Sequence, residues 1–291
     1  MKILNNKHIP CLMAALLLGL LACTPENPSD SVKQTTIRVS VLPDRNGELL
    51  KSKYQAILIY LSTKTTRNYQ LIIPKNYDHA LQMFLKKESD LAFFGGYTFV
   101  KANFMGKALP LVSRNTDKKF TSVVLVSTTN QAQTLEDLKG SSFSFGSTLS
   151  TSGHLMPRSF FKDLNILPES FFSSVTYSGA HDKTILQISQ GKVNAGVANV
   201  QIYKNMLKDG RITNEDVRVL WSSPEFQDYV WAFQNDMEAA LINDIRNAFL
   251  AMSLNEPTSK KILNDLDAGF FVPVSMDDFE ILQNVISELD M

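Results

Sequence analysis

Thiols are scarce in this sequence: Cys11 and Cys23 are the only two cysteines in 291 residues. Cys11 sits inside an apolar leader-like stretch, so a processed chain would keep Cys23 alone. One thiol excludes an intramolecular disulfide and a multi-thiolate metal site. An excess of either charge is also missing, with 29 Lys+Arg against 29 Asp+Glu. No overall field is therefore available to recruit nucleic acid or an anionic membrane surface. The N-terminal apolar run, Ile9 to Leu21, is too short to span as a mature anchor. The body beyond it has no internal repeat and no low-complexity segment. What remains is ordinary: 44% hydrophobic residues and enough length for one large or two ordinary domains around a substantial core. Composition names no partner, and no cofactor is expected.

The N-terminus is more specific. Lys2 and Lys7 precede the apolar run, which ends in Leu20-Leu21-Ala22-Cys23. This layout is that of a signal peptide, and its end resembles a bacterial lipobox. Residues 1–22 are then a lipoprotein signal peptide, and Cys23 is lipidated as the first mature residue. The alternative is a plain signal peptide with an incidental cysteine. Residues 23–35, rich in Pro, Ser and charge, read as a flexible tether with nothing to bury. A monomeric body held at a membrane, facing the periplasm or extracytoplasmic space, is expected.

Along the body, strands alternate with helices. Thr36–Leu42 alternates β-branched and polar residues, as a strand does. Leu49–Thr63 spaces Leu50, Tyr54, Ile57, Leu58 and Leu61 as a helix does. Further strands are expected at 69–73, 89–94, 109–112, 121–128, 142–145, 174–177, 193–198, 217–221 and 229–234. Helices are expected between them at 78–86, 97–104, 133–139, 182–190 and 201–208, and three more follow near 239–254, 259–266 and 277–289. Alternation at this spacing argues an α/β protein with parallel sheets covered on both faces. Two units follow: lobe 1 from residues 36–121 and 229–291, and lobe 2 from 122–228. Chain crossings near Val123–Val126 and Ser222–Trp231 would form a hinge.

Ser142 to Leu155, SFSFGSTLSTSGHL, carries the chemistry. Phe143 and Phe145 alternate with serines in a strand ending at Gly146. Ser150-Thr151-Ser152-Gly153 then opens a helix. Hydroxyls beside unpaired helix N–H groups, at the positive end of the helix dipole, suit a phosphate-like anion. The bland alternative is an N-cap with spare serines.

Six segments in register decide between these readings: SFSFGSTLSTSGHLMPRSFF, TYSGAHDKTILQISQGKVNAGVANVQIY, VRVLWSSPEFQDYVW and, earlier, IRVSVLP, NYDHALQMF and SDLAFFGG. Together they resemble the phosphate/phosphonate-binding proteins of bacterial ABC importers over nearly the whole body. The resemblance implies a type II periplasmic-binding-protein fold, two lobes closing on a ligand that is passed to an ABC permease. It implies that Ser150, Thr151 and Ser152 hold the phosphonyl oxygens, with Gly153 permitting close backbone approach. His181 would be a further ligand, although alone it reads as a cap beside Asp182. Tyr77 would donate from lobe 1, where the residue-level reading is simple packing.

Two positions depart from the family pattern. Phe120 stands where a second tyrosine is common and supplies a wall without a donor. Gln201 stands where aminophosphonate binders place a Glu facing the ligand's ammonium, while Asp228 retains the second acid. Half of an ammonium cage is thus missing, which disfavours 2-aminoethylphosphonate against phosphate, phosphite or a simple phosphonate. Asn194 replaces a common Asp at the start of a strand, where its role is local to that strand. Rival readings are a sensing domain that reports to a membrane histidine kinase, a structural lipoprotein, and a serine hydrolase built on Ser150 or Ser152, His181 and Asp182. The hydrolase lacks a G-x-S-x-G elbow, so no catalytic residue is expected.

Overall fold

The computed structural model describes residues 36–291; the leader, Cys23 and the tether lie outside them. The chain runs β1 (Ile37–Val41), α1 (Gly47–Thr65), β2 (Tyr69–Ile72), α2 (Tyr77–Leu85), β3 (Leu91–Phe94), α3 (Gly96–Phe104) and β4 (Ala108–Arg114), then crosses. It continues with β5 (Ser122–Ser127), β6 (Ser142–Phe145), α4 (Met156–Asp163), α5 (Pro168–Phe171), β7 (Ser174–Tyr177), α6 (His181–Ser189), β8 (Ala195–Asn199), α7 (Val200–Lys208) and β9 (Val217–Ser222). After a second crossing come β10 (Val230–Gln234), α8 (Ala239–Leu250), α9 (Pro257–Asp265), β11 (Phe271–Pro273) and α10 (Glu280–Glu288).

Two sheets result, ordered β11-β4-β10-β3-β1-β2 and β7-β6-β8-β5-β9. They are mixed, not parallel. In the first, β1 runs parallel to β2 and β3, whereas β10 runs against both β3 and β4. In the second, β6 is parallel to β7 and β8, whereas β5 opposes β8 and β9. Three strands break the pattern: β5 and β10, the first to enter each sheet after a crossing, and the edge strand β11, which opposes β4. Strand composition reports burial on two faces and says nothing of direction, so the alternation could not reveal them.

The helical spacing in α1 buries Leu50, Tyr54, Ile57, Leu58 and Leu61. In lobe 2 the continuous apolar run of β5 divides between two faces. Val124 and Val126 pack with Phe143, Phe145, Phe161 and Phe172, while Val123 and Leu125 pack with Ile185, Ile188 and Ile202. Val123–Val126 is therefore core strand. The first crossing lies just before it, where Phe120 and Phe226 pair their backbones, N–H to carbonyl at 2.9 Å in both directions. The helix expected over 133–139 shrinks to one turn at Glu136–Leu138, closed by Gly140 at φ +75°.

Candidate functional site

The stretch after β6 folds as a π-turn over Thr151–Leu155 before α4 begins. Leu155 donates its N–H to Ser150 O at 3.0 Å, five residues back. Such widened turns recur at functional sites, since they expose backbone groups that an α-helix would consume. Gly153 permits this one to pack closely: a Cβ there would lie 2.8 Å from His181 Cε1 and 2.9 Å from Ser150 Oγ. The cap reading and the ligand reading then meet in Ser150. Its Oγ accepts Gly153 N–H at 3.0 Å and lies 3.3 Å from His181 Nε2. With its lone pairs so engaged, its hydroxyl proton is left to donate.

His181 opens α6 and is 1% exposed. Its Nδ1 accepts the backbone N–H of Asn199 at 3.2 Å. A backbone N–H can only donate, so Nδ1 carries no proton and Nε2 carries it. Burial holds the imidazole down to about 4, with Asp44 opposing and Arg45 adding. The ring is therefore a neutral Nε2–H donor near neutral pH. A serine–histidine hydrolase needs the opposite tautomer, with Nδ1–H on an acid and Nε2 free to take the serine proton. Asp182, the acid proposed for it, instead accepts Asn46 N–H from lobe 1 at 2.8 Å.

Lobe 1 and the return crossing face these donors. Thr151 Oγ1 accepts Tyr97 N–H at 3.0 Å and Thr98 Oγ1 donates to Leu149 O at 2.9 Å, joining the lobes directly. Tyr77, at the start of α2, is buried; desolvation pushes its phenol well above the usual range, Asp44 and Asp228 add to this, and Ser150 opposes it. Asp228 is 1% exposed and its Oδ1 accepts Gly96 N–H at 3.1 Å. Burial raises its pKa to about 7, against the nearby Thr151 and Ser152 hydroxyls. Asp228, expected at the ligand's ammonium end, thus sits against the anion-side hydroxyls.

The structure brings together Ser150, Thr151, Ser152, Gly153, His181, Tyr77 and Asp228. It does not bring in Gln201, which is half-buried and reaches along α7 to Asn205 Oδ1 at 3.5 Å. Phe120 is a hinge wall, buried with its ring centroid 5.6 Å from Tyr229. Asn194 ties β6 to the start of β8 by accepting Ser142 N–H at 3.0 Å.

Sequence reasoning missed Asp44, Arg45, Asn199 and Tyr229. Tyr229 supplies a second buried phenol: it donates to Asp44 Oδ2 at 2.9 Å and accepts from Asn199 Nδ2 at 3.1 Å. Burial works against ionised Asp44, but the guanidinium of Arg45, at 3.0 Å, holds its carboxylate below the usual range. His181 N–H also donates to Asp44 O at 3.0 Å. The Asn199 cap was the one available signal, an Asn closing a strand just before a helix. Two surface cavities of about 610 and 690 Å³ lie elsewhere. In the first, Arg158 is already bound to Glu169 and Tyr177.

Two α/β lobes closed on a buried group of neutral donors define a bilobal ligand-binding protein of the periplasmic-binding type. The chain belongs to the family described as "ABC transporter, phosphonate, periplasmic substrate-binding protein", matching it over residues 39–279. That family acts outside the cytoplasm. Over 266 residues the chain is 27% identical to the "Probable ABC transporter phosphite binding protein PhnD1" of Prochlorococcus marinus MIT 9301, covering 87% of this chain and 90% of that one. It is 23% identical to the "Phosphate-import protein PhnD" of Mycolicibacterium smegmatis, covering 86% and 83%. The solved structure of Prochlorococcus PhnD1 with methylphosphonate superposes at TM-score 0.84, with 27% identity, covering 88% of this chain and 98% of that one.

Proposed function

We propose that this protein is a lipid-anchored solute-binding protein that captures a phosphonate-, phosphite- or phosphate-like oxyanion between its lobes and delivers it to an ABC permease. The observation that carries the ligand class is the buried donor group. Ser150, Thr151, Ser152 and the Nε2–H of His181 converge at one helix start with no fixed positive charge among them. Neutral, preorganised donors plus the helix dipole hold an anion without the cost of a buried cation. The relatives named for phosphite and phosphate, and the one bound to methylphosphonate, support the same class.

Capture needs no bond-making chemistry. The direct bonds between lobes, such as Asn46 to Asp182 and Tyr97 to Thr151, belong to the closed form, and a ligand that completes the group shifts the population toward it. Phosphate, phosphite and simple phosphonates are preferred over 2-aminoethylphosphonate, because Gln201 is uncharged and its amide bonds to Asn205. Cys23 would carry the anchor, on the signal-peptide layout that precedes it.

A thermal-shift screen with phosphate, phosphite, methylphosphonate and 2-aminoethylphosphonate, followed by calorimetry, tests the ligand. Binding to the folded state alone at a hundred times Kd adds about 2.7 kcal/mol. Tight binding of only the aminophosphonate would overturn the ligand class. Mass spectrometry of the mature N-terminus tests the anchor: an unmodified Cys23, or cleavage elsewhere, removes it.

A further inference from the structure

Far from the ligand group, lobe 1 ends in an apolar tip. Phe104, at the close of α3, is 92% exposed, more than any other large apolar side chain among the described residues, and Met105 beside it is 55% exposed. Gly106, at φ +74°, then turns the chain back toward β4. The groove of about 690 Å³ opens next to this pair and is lined in part by Val100, Ile286 and Met291. Contiguous apolar surface of this kind marks a contact with something else. Its place in the fold says with what. Backbone bonds run across this end of the first sheet: Asp90 N–H to Arg38 O at 2.8 Å, Gln234 N–H to Asp90 O at 3.1 Å, and Asn235 N–H to Lys107 O at 3.1 Å. Residue 36, where the described chain begins, therefore lies at the same end as the Phe104–Met105 tip. The ligand group lies at the other ends of these strands, at Asp44 after β1, Gly96 after β3 and Asp228 before β10, roughly 15 Å away at 3.3 Å per residue.

A lipid on Cys23 would tie this end of the body to a bilayer, since residues 23–35 reach at most about 45 Å when fully extended. We propose that the Phe104–Met105 end of lobe 1 is a bilayer-contact surface: both side chains insert at the headgroup–acyl boundary and hold the body with its cleft turned away from the membrane, open to incoming ligand. The inference rests on the lipid anchor proposed above. Charge at this end is mixed, with Lys86, Lys87 and Lys107 beside Glu88 and Asp236, and Lys87 already bound to Asp236. Apolar insertion, not attraction to anionic headgroups, therefore carries the contact. Two side chains make a weak contact. The anchor supplies the local concentration that lets it form, and the weakness lets the body lift off to reach a permease.

Fluorescence quenching tests the contact, using the full lipidated chain in phosphatidylcholine vesicles with brominated acyl chains. Phe104→Trp should gain an indole emission that is quenched by the bromines, above the background of native Trp221 and Trp231. The quenching should persist at about 1 M salt, where the Debye length is about 3 Å, and weaken when Met105→Ser is added. Leu167→Trp, exposed on lobe 2, should escape quenching, and Phe104→Trp should bind ligand as the wild type does. An unquenched Phe104→Trp indole on protein that stays with the vesicles overturns the inference. Quenching that requires a permease in the vesicle, or a vesicle-free dimer that Phe104→Ser dissolves, also overturns it, assigning the tip to a protein partner or a second copy. Protein that does not stay with the vesicles removes the anchor instead, and the inference with it.

Discussion

The two halves of the site differ in chemistry and in how the chain assembles them. The lobe 2 half is made of donors, and its core is one short segment, Ser150–Gly153, joined only by His181. The half facing it is rich in acceptors and carboxylates, and it gathers Asp44, Tyr77, Gly96, Asp228 and Tyr229 from positions up to 185 residues apart. Donors alone would grip any anion. On the proposed reading the acceptor half gives the site its means of choosing among anions, and it exists only once distant parts of lobe 1 and the return crossing have packed together.

The largest expected break in this contrast is on the donor side. Ser150→Ala with Thr151→Ala should reduce affinity at least about a hundredfold, since two hydrogen bonds to a charged ligand are worth roughly 1.5–3 kcal/mol each. Folding should survive, with about 1 kcal/mol lost with the Ser150 cap. Calorimetry with a denaturation curve separates the two, and unchanged affinity would return the stretch to a simple cap. Next, Gly153→Ala should drive a methyl between His181 and Ser150. A cost of about 1–3 kcal/mol in stability is expected for such overpacking, together with loss of binding. A variant that binds normally would show that the close approach is incidental.

His181→Ala removes one donor and should weaken binding about tenfold or more. It should also change the acid limb of stability. Native His181 has its pKa lowered from 6.5 to about 4, so the unfolded chain binds more protons in that window. His181 therefore costs stability as pH falls from 6.5 toward 4, and the variant should lose less there. Asp228 has the opposite sign. Its pKa is raised from 3.8 to about 7, so the native state holds the extra proton and stability falls as pH rises across that interval. Asp228→Asn should flatten that fall in the ligand-free protein, as read by urea midpoints at stepped pH. The smallest effect is expected at Gln201, where replacement by Ala should shift stability by no more than about 0.5 kcal/mol and leave affinity for simple oxyanions unchanged. A large loss there would bring Gln201 back to the ligand.

Local pattern carried much of this fold. Helical spacing in α1 and alternation in β6 depend on residues close in sequence, and the buried faces follow them. The donor half was legible for the same reason, because a cap and its hydroxyls lie within one turn. His181 was harder. Its sequence neighbour Asp182 suggested a local pair, but the ring is oriented by Asn199 N–H from the next strand, while Asp182 serves lobe 1. Gln201 was hard to read in the same way: it bonds along α7 to Asn205, and a position matched along the chain does not say which way a half-buried side chain turns.

The sequence by itself determined that alternating strands and helices build two α/β units and that hydroxyls crowd one helix start, since both are short-range consequences of periodicity and capping. Tertiary structure alone decided that β5 and β10 run against their sheets. It decided which nitrogen of His181 carries the proton, and that Asp228 ends among the donors with one oxygen unsatisfied. These depend on contacts between groups far apart in the chain, and on burial strong enough to move a proton, which no local pattern records.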